Sequence, residues 1–488
     1  MIPKINIWDK ENNYFLLLFF TTVIIVYFSP YVLLTRLFFL ITLLIIYNSK
    51  KDHFWLAWLF VIVDAPGHLF AGSYLEDAKR IPVYPIFKAV SVSYYDLLIL
   101  LYLFKAWSRK REVKINAFSL QSKIFIGIII FYLVFTFIAY QINFIAFYRT
   151  VSPWILIYAI YQLMPGEQNF HKFNKLVFPF VLFAFLAQIY SFIEGQHLLT
   201  TLKGTEYHFK EGLSKQITEE SDVAARNLYS MFIIIYSVTV AFVYYSRTKS
   251  IFPRQYLILV IIFGFLATIL SGTRGFLLAI VTIIIGSTFI GMIRFNKLFQ
   301  YVGIIILLFI AIFLLGSYSP VLKRQFELVT NRYETLLLLA QGDATAGGTL
   351  YRLTYRIPKI MEWINQSPLF GFGFSESYYL NADNDIGFHT MILNVGYIGV
   401  AMLYFLFLLI IMKIYKYSRM KQYKLVYQNS GTIFLIGLIG LMIFHLTTNI
   451  AFGLTPSGSG ALHERYLIYG FLLNFFNVTI NYSGFTSI

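Results

Sequence analysis

Fourteen apolar runs divide this chain, and they leave it few ways to fold. They lie at 14–29, 31–48, 53–70, 94–107, 118–140, 148–164, 174–195, 226–245, 256–271, 274–292, 299–317, 387–412, 429–451 and 464–482. A run of about 20 apolar residues, or somewhat fewer, spans a bilayer. Inside lipid every backbone N–H and C=O must be paired within the protein, so such runs form helices. The expectation is an all-α polytopic membrane protein with about 14 transmembrane helices, built as a single transmembrane domain over residues 1–488. Composition agrees: 58% of residues are hydrophobic and 13% charged, against roughly 25% charged in a soluble domain. The chain has no cysteine, which excludes disulfides, thiolate metal sites and cysteine nucleophiles. MIPKINIWDKENNYFLLLFF carries lysines before its apolar run but no small-residue cleavage site, so it reads as a retained first span.

Orientation follows from the connections. Alternate ones are basic: NSKKDH (48–53), SRKREVK (108–114), HKFNK (171–175), SRTKSIFPR (246–254), RFNK (294–297) and KIYKYSRMKQYK (413–424). Lys and Arg accumulate in cytoplasmic loops, so these connections are assigned to the cytoplasm, together with both termini. That side then holds the net charge of +16, and the rest of the chain is close to neutral. The basicity marks topology, and nucleic acid is not an expected partner.

The opposite face receives the longer connections, 71–93, 196–225 and above all 318–386. A connection this long is usually functional or disordered, and 318–386 is not of low complexity. It is expected to form a large helical periplasmic loop. VLKRQFELVTNRYETLLLLA (321–340) and LYRLTYRIPKIMEWINQSP (350–368) both have helical periodicity. In the second, Arg352, Arg356, Lys359 and Trp363 share one face, and Leu353, Ile357, Ile360 and Ile364 share another. Such a helix lies on a membrane or on a bundle surface. Pro358 is expected to kink or shorten it.

Charge on this outer face is unusual. SGTRGFLLAIVTIIIG (271–286) sets Arg274 at the N-terminus of a span, where a cation opposes the helix macrodipole. A bound anion removes the conflict, because helix N-termini and guanidinium forks both suit phosphate. Arg352, Arg356 and His389 lie on the same side, and one outward-facing cavity is expected to collect all four. Blander explanations exist for each: an arginine at a span end snorkels to headgroups, and a histidine at a helix start caps or packs. Glu220 and Asp222, in ITEESDVAARN, either cap the eighth span or bond sugar hydroxyls. Asp64 and Asp96 lie near outer span ends and have a structural explanation. GFGF (371–374) follows no strand and is no dinucleotide fingerprint. NADND (381–385) has acidic spacing but lacks the rest of a calcium loop.

Three of these stretches, in order, resemble the O-antigen polymerase and O-antigen ligase superfamily of bacterial membrane glycosyltransferases. LSGTRGFLLAIV (270–281) is similar to its small-residue–Arg–Gly span opening. YRLTYRIPKIMEWINQSPLFGFGF (351–374) is similar to its periplasmic segment, and HTMILNVGYIGV (389–400) to its histidine and Gly-x-x-Gly span start. DVAARNLYSMF (222–232) matches more weakly, through Asn227. The resemblance implies a C-type glycosyltransferase fold in the bacterial inner membrane, with its active site on the periplasmic face. It implies inverting, metal-independent transfer of a glycan from undecaprenyl diphosphate to a sugar hydroxyl, with no cofactor. Arg274 and Arg352 match the family's diphosphate-contacting arginines, and His389 its catalytic histidine. Arg356 joins the arginines on helical spacing alone. Asn227, with Glu220 and Asp222, is assigned to acceptor or sugar binding. Where the family has His-Asn, this chain has His389-Thr390. Expected partners are the lipid-linked oligosaccharide, membrane lipids and a chain-length regulator protein.

Two activities fit this pattern. A polymerase adds the chain to another lipid-linked repeat unit; a ligase adds it to lipid A core. The span count and the long structured loop favour the polymerase. A lipid-linked glycan flippase, the alternative from another class, predicts charges at mid-membrane and an internal repeat, and neither is evident.

Overall fold

The computed structural model describes residues 9–27, 31–68, 83–87, 90–108, 118–194, 231–247, 250–271, 274–287, 303, 310, 314, 341, 352–383, 386–419, 428–447 and 461–485. The described elements are helices, with one exception. In chain order they are α1 (Lys10–Tyr27), α2 (Val32–Asn48), α3 (Asp52–His68), α4 (Tyr94–Ser108), α5 (Ser119–Ala139), α6 (Phe144–Leu163), α7 (Glu167–Val177) and α8 (Pro179–Glu194). There follow α9 (Met231–Ser246), α10 (Arg254–Leu270), α11 (Arg274–Ser287), α12 (Ile357–Ile364), α13 (Glu376–Asn381), α14 (Gly387–Arg419), α15 (Gln428–Thr447) and α16 (Ala461–Phe485). The apolar runs expected from sequence fall on these helices. The run at 299–317 lies outside the described residues except for Gly303, Ile310 and Leu314.

Among the described residues, three helical stretches are long and apolar enough to cross a membrane: Ser119–Ala139, Glu167–Tyr190 and Gly387–Tyr417. Others are shorter. The 14 residues of α11 extend about 21 Å at 1.5 Å per residue, less than the roughly 30 Å of a bilayer core.

The exception to the all-helical expectation is a hairpin inside the connection 71–93. Strands β1 (Val83–Phe87) and β2 (Val90–Ser93) pair antiparallel, Val83 opposite Ser93 and Tyr84 opposite Val92, with an irregularity between Pro85 and Phe87. The alternation V-S-V-S with a β-branched valine at every second place suits a strand, and it is too short to register beside helical runs. The Tyr84 hydroxyl donates to the Arg36 carbonyl at 3.0 Å. Tyr94, first residue of α4, meets the Thr42 hydroxyl at 2.6 Å. Both bonds tie the hairpin and its exit to α2.

The chain packs as two compact units, residues 1–109 with 163–334, and residues 110–162 with 335–488.

In the first unit α9 is enclosed: Phe232 to Tyr244 are all buried, Ser237 and Thr239 included. Beside it lies HKFNK (171–175), read from sequence as a connection between spans; the structure makes it part of a helix. It is wound into α7, and Glu167, His171, Asn174 and Lys175 recur on one helical face and are buried. Charges tolerate burial when paired and hydrogen-bonded, and here they are. Glu167 pairs with Arg247. His171 Nδ1 meets the Tyr244 hydroxyl at 2.7 Å, and Asn174 Nδ2 donates to the same hydroxyl at 3.0 Å. Lys175 reaches Asp9 at 2.5 Å and Glu11 at 3.5 Å. Glu11 also meets His53 at 3.1 Å, and that hydrogen bond, against the opposing effect of burial, holds its carboxyl down at about 2. Lys105 pairs with Asp52 at 2.5 Å, with both side chains nearly sealed, and donates to the carbonyls of Ile46 and Ser49 at the end of α2. Asp9 and Glu11, the connection 48–53, and residues 171–175 and 247 thus meet at one end of this unit.

In the second unit α5 buries only a narrow stripe, Gln121, Ile128, Tyr132 and Thr136. Its other faces expose Ile126, Ile130, Val134, Phe137 and Ile138. A helix that is apolar on every side, with one face packed on protein, is suited to lipid on the rest.

Candidate active site

The stretch PLFGFGFSE (368–376) forms a turn that fits into a break in α14. Gly396 sits at φ 63° and ψ −179°, outside helical geometry, and divides that helix into Gly387–Val395 and a long second part. A break leaves carbonyls and amides without helical partners, and burying them unpaired is costly. The turn supplies the partners. Phe372 N–H donates to the Leu393 carbonyl at 2.9 Å and Gly373 N–H to the Asn394 carbonyl at 2.7 Å. In return Tyr397 N–H donates to the Pro368 carbonyl at 2.9 Å and Ile398 N–H to Leu369 at 3.1 Å. Tyr132 of α5 donates its hydroxyl to the Val395 carbonyl at 2.5 Å. Asn394, fully buried, donates back to the Gly373 carbonyl at 2.6 Å.

Glycine is demanded at two of these places by space as well as by φ. A Cβ on Gly396 would stand 2.2 Å from the Leu369 carbonyl oxygen, and one on Gly371, at φ 67°, 2.5 Å from that of Asn394. The phenylalanines between the glycines point to other elements. Phe370 packs against Phe131 and Phe135, Phe372 against Tyr140 and Trp363, and Phe374 edge-on against Phe147. The α5–α6 corner closes the assembly: Ile142 bridges Ser375, and Asn143 N–H donates to the Phe374 carbonyl at 2.9 Å. GFGF and Gly-x-x-Gly are therefore the two halves of one scaffold: Gly371 and Gly396 serve backbone contact, and Gly373 and Gly399 leave room for the Thr136 and Tyr132 side chains of α5.

This scaffold positions the first turn of α14, where His389 sits half-buried and edge-on to Phe388 at 5.9 Å. The next residue, Thr390, is fully buried. Its hydroxyl donates to the Asp383 carbonyl at 2.5 Å and accepts from the Asp383 N–H at 3.1 Å. The Asp383 carboxylate in turn faces Arg356 Nη1 at 3.5 Å. Among the expected residues, then, Arg356 and His389 are brought into one connected corner of the second unit. The link runs through Asp383 and Thr390, which sequence reasoning did not assign to it. The signal in the sequence is the acidic stretch 381–385, in which Asp383 is an arginine's partner.

Arg352 to Arg356 wind as a π-turn before α12. Of the four residues expected on one face, Arg356 and Trp363 are part-buried and Lys359 is exposed. Pro358 stands in the first turn of α12, where a missing N–H costs nothing. The α-helical part begins at Ile357, directly after the π-turn that ends at Arg356. Ile360 and Ile364 are buried, and α12 packs against α14.

Arg274 belongs to the first unit and is the first residue of α11, as expected. Before it, α10 ends at Ser271, whose hydroxyl donates to the Thr268 carbonyl at 2.7 Å. The side chains of Arg274 and Arg352, residues Asn227, Glu220 and Asp222, and the helix expected at 321–340 lie outside what is described. So do the side chain of Asp64 and residues Asn384 and Asp385.

Residues 257–396 match the family described as O-antigen ligase. The matched range opens in α10, contains Arg274, Arg352, Arg356 and His389, and closes on Gly396. No curated protein matches the chain.

Proposed function

We propose that this chain, which through residues 257–396 belongs to the O-antigen polymerase and ligase superfamily, is the polymerase that lengthens a lipid-linked surface polysaccharide. The donor is a glycan on undecaprenyl diphosphate and the acceptor a sugar hydroxyl of another lipid-linked repeat unit. His389 carries this proposal: it lies inside the matched range, half-buried on the first turn of a helix whose start is clamped on two sides. It accepts the acceptor's hydroxyl proton as the oxygen attacks the anomeric carbon, a role for which imidazole is suited near neutral pH. The bond from that carbon to the diphosphate oxygen breaks, and undecaprenyl diphosphate leaves with the electron pair. Direct displacement inverts the anomeric centre. Charge growing on the leaving oxygens calls for preorganised cations, and the resemblance assigns Arg274 and Arg352 to that task. The chain sits in the bacterial inner membrane with both termini in the cytoplasm and the chemistry on the periplasmic face.

Transfer to lipid A core is the second reading, and the description of the matched family favours it. Purified protein given lipid-linked repeat units alone separates the two. A ladder of longer lipid-linked products is expected; transfer only after lipid A core is added would establish the ligase instead. Movement of lipid-linked glycan between leaflets with no glycosidic bond formed would leave only the flippase.

A further inference from the structure

We propose that Arg356 is a positioning residue that acts through Asp383 and Thr390 on His389, and is not a contact to the donor diphosphate. The proposal rests on the transferase reading of His389. Its geometry is a chain of three bonds. Arg356 Nη1 lies 3.5 Å from Asp383 Oδ1. The backbone of Asp383 both donates to and accepts from the Thr390 hydroxyl, at 3.1 and 2.5 Å. Thr390 is covalently next to His389 on the first turn of α14, with its N–H on the Ile386 carbonyl at 3.0 Å.

Each link has a physical reason to matter. A buried hydroxyl with both its capacities used on one backbone fixes the rotation of that residue, and with it the direction of its neighbour on the same turn. Asp383 stands outside the regular helix, after α13 has ended at Asn381. Such a connecting residue keeps its place only through its contacts, and a charge-assisted contact to an arginine is among the stronger kinds. Arg356 is itself well anchored. It ends the π-turn and leads directly into α12, whose buried Ile360 and Ile364 pack that helix, against α14 among others. Arginine to carboxylate to threonine thus joins α12 to α14 through the connection that follows α13.

The same geometry argues against diphosphate contact. A phosphate brought to the guanidinium would stand beside the Asp383 carboxylate, and two anions at such a distance repel. Arg356 and Asp383 are similarly part-exposed, 29% and 30%, so the pair faces a common surface without being sealed.

A double-mutant cycle tests this, with Arg356→Ala, Asp383→Ala and the double variant assayed for glycan transfer at varied donor. A positioning role predicts that each single variant lowers kcat by roughly ten- to a hundred-fold, since a small misplacement of a catalytic group has effects of that order. Donor KM should change less than about twofold, and the double variant should be no worse than either single, as for residues acting in one chain. Thr390→Val should share the kcat loss and Thr390→Ser should restore it. A diphosphate contact predicts the reverse: Arg356→Ala raises donor KM, Asp383→Ala leaves or improves it, and Thr390→Val is silent. That result overturns the proposal. Hydrogen exchange supplies a readout independent of turnover. Arg356→Ala and Asp383→Ala should both speed exchange across 383–392 while leaving 397–412 as protected as before; unchanged exchange in 383–392 also overturns it. If the unmodified protein forms no glycosidic bond, the transferase reading fails while the exchange result still decides the bracing.

Discussion

At the scale of single residues, groups proposed to act on substrate differ from groups that hold others in place in what their loss should do. His389→Ala should lower the rate of glycan transfer by about 10²–10⁴-fold, the range for a lost general base, with the melting temperature little changed because the side chain is only half-buried. Arg274→Ala is expected to lower turnover by about 10²–10³-fold, as when one preorganised donor is removed. It should cost nothing in stability, since a cation at a helix start opposes the dipole; activity near that of the unmodified protein would return Arg274 to a headgroup contact. Both positions stand out in the sequence because each is polar at the edge of an apolar run. Asp383 and Thr390 do not, because their roles depend on which backbone the chain returns to, and no spacing rule records that. Glu11 gives a pH prediction. Its carboxyl is held at about 2 by the His53 hydrogen bond, below an ordinary value of 4.5. A depressed carboxylate stabilises the fold fully above its unfolded value and loses that contribution as pH falls through its folded one. Thermal unfolding in detergent should therefore show stability falling between about pH 4.5 and about pH 2, and Glu11→Gln should flatten that part of the curve.

At the scale of elements, the meeting of the 368–376 turn with the break in α14 organises the second unit. Gly396→Ala forces an L-residue into a positive φ and drives its Cβ against the Leu369 carbonyl. Strain of that kind costs about 1–3 kcal/mol, before the clash is counted. Tyr132→Phe leaves the Val395 carbonyl without the tyrosine hydroxyl, at about 1–3 kcal/mol for a buried acceptor. Both variants should lower the unfolding midpoint and the transfer rate together, whereas His389→Ala lowers the rate alone. The glycine pattern was visible in the sequence, and its purpose was not. Sequence spacing shows that two glycine pairs exist; only the fold shows that they are opposite sides of one exchange of backbone hydrogen bonds. The same limit hid the hairpin at Val83–Ser93, whose short strands lie within a connection, and the burial of HKFNK. A lysine-rich stretch between apolar runs looks solvated until its partners, Asp9 and Glu11 for Lys175 and Tyr244 for His171, arrive from elsewhere in the chain.

At the scale of the whole molecule, the apolar runs were the most legible feature, because lipid permits a long apolar stretch only one backbone solution. Their sidedness rests on the basic connections, and the first unit gives those connections a shared end: residues 9–11, 51–53, 105, 171–175 and 247 are joined by ion pairs and hydrogen bonds. The chain lacks cysteine, so single cysteines can report the side directly. A cysteine at Lys50 should react with an impermeant maleimide only from the cytoplasmic side, and one at Lys359 or Glu362, both exposed, only from the periplasmic side. Reaction of all three from one side would overturn the assigned topology. Whether the chain forms glycosidic bonds by extending a lipid-linked glycan is decided by reconstituting the purified protein with lipid-linked repeat units and no other acceptor. A ladder of undecaprenyl-diphosphate-linked oligomers is expected, and it should disappear with His389→Ala. Absence of the ladder from the unmodified protein, or its persistence in the variant, would overturn the polymerase mechanism proposed for His389.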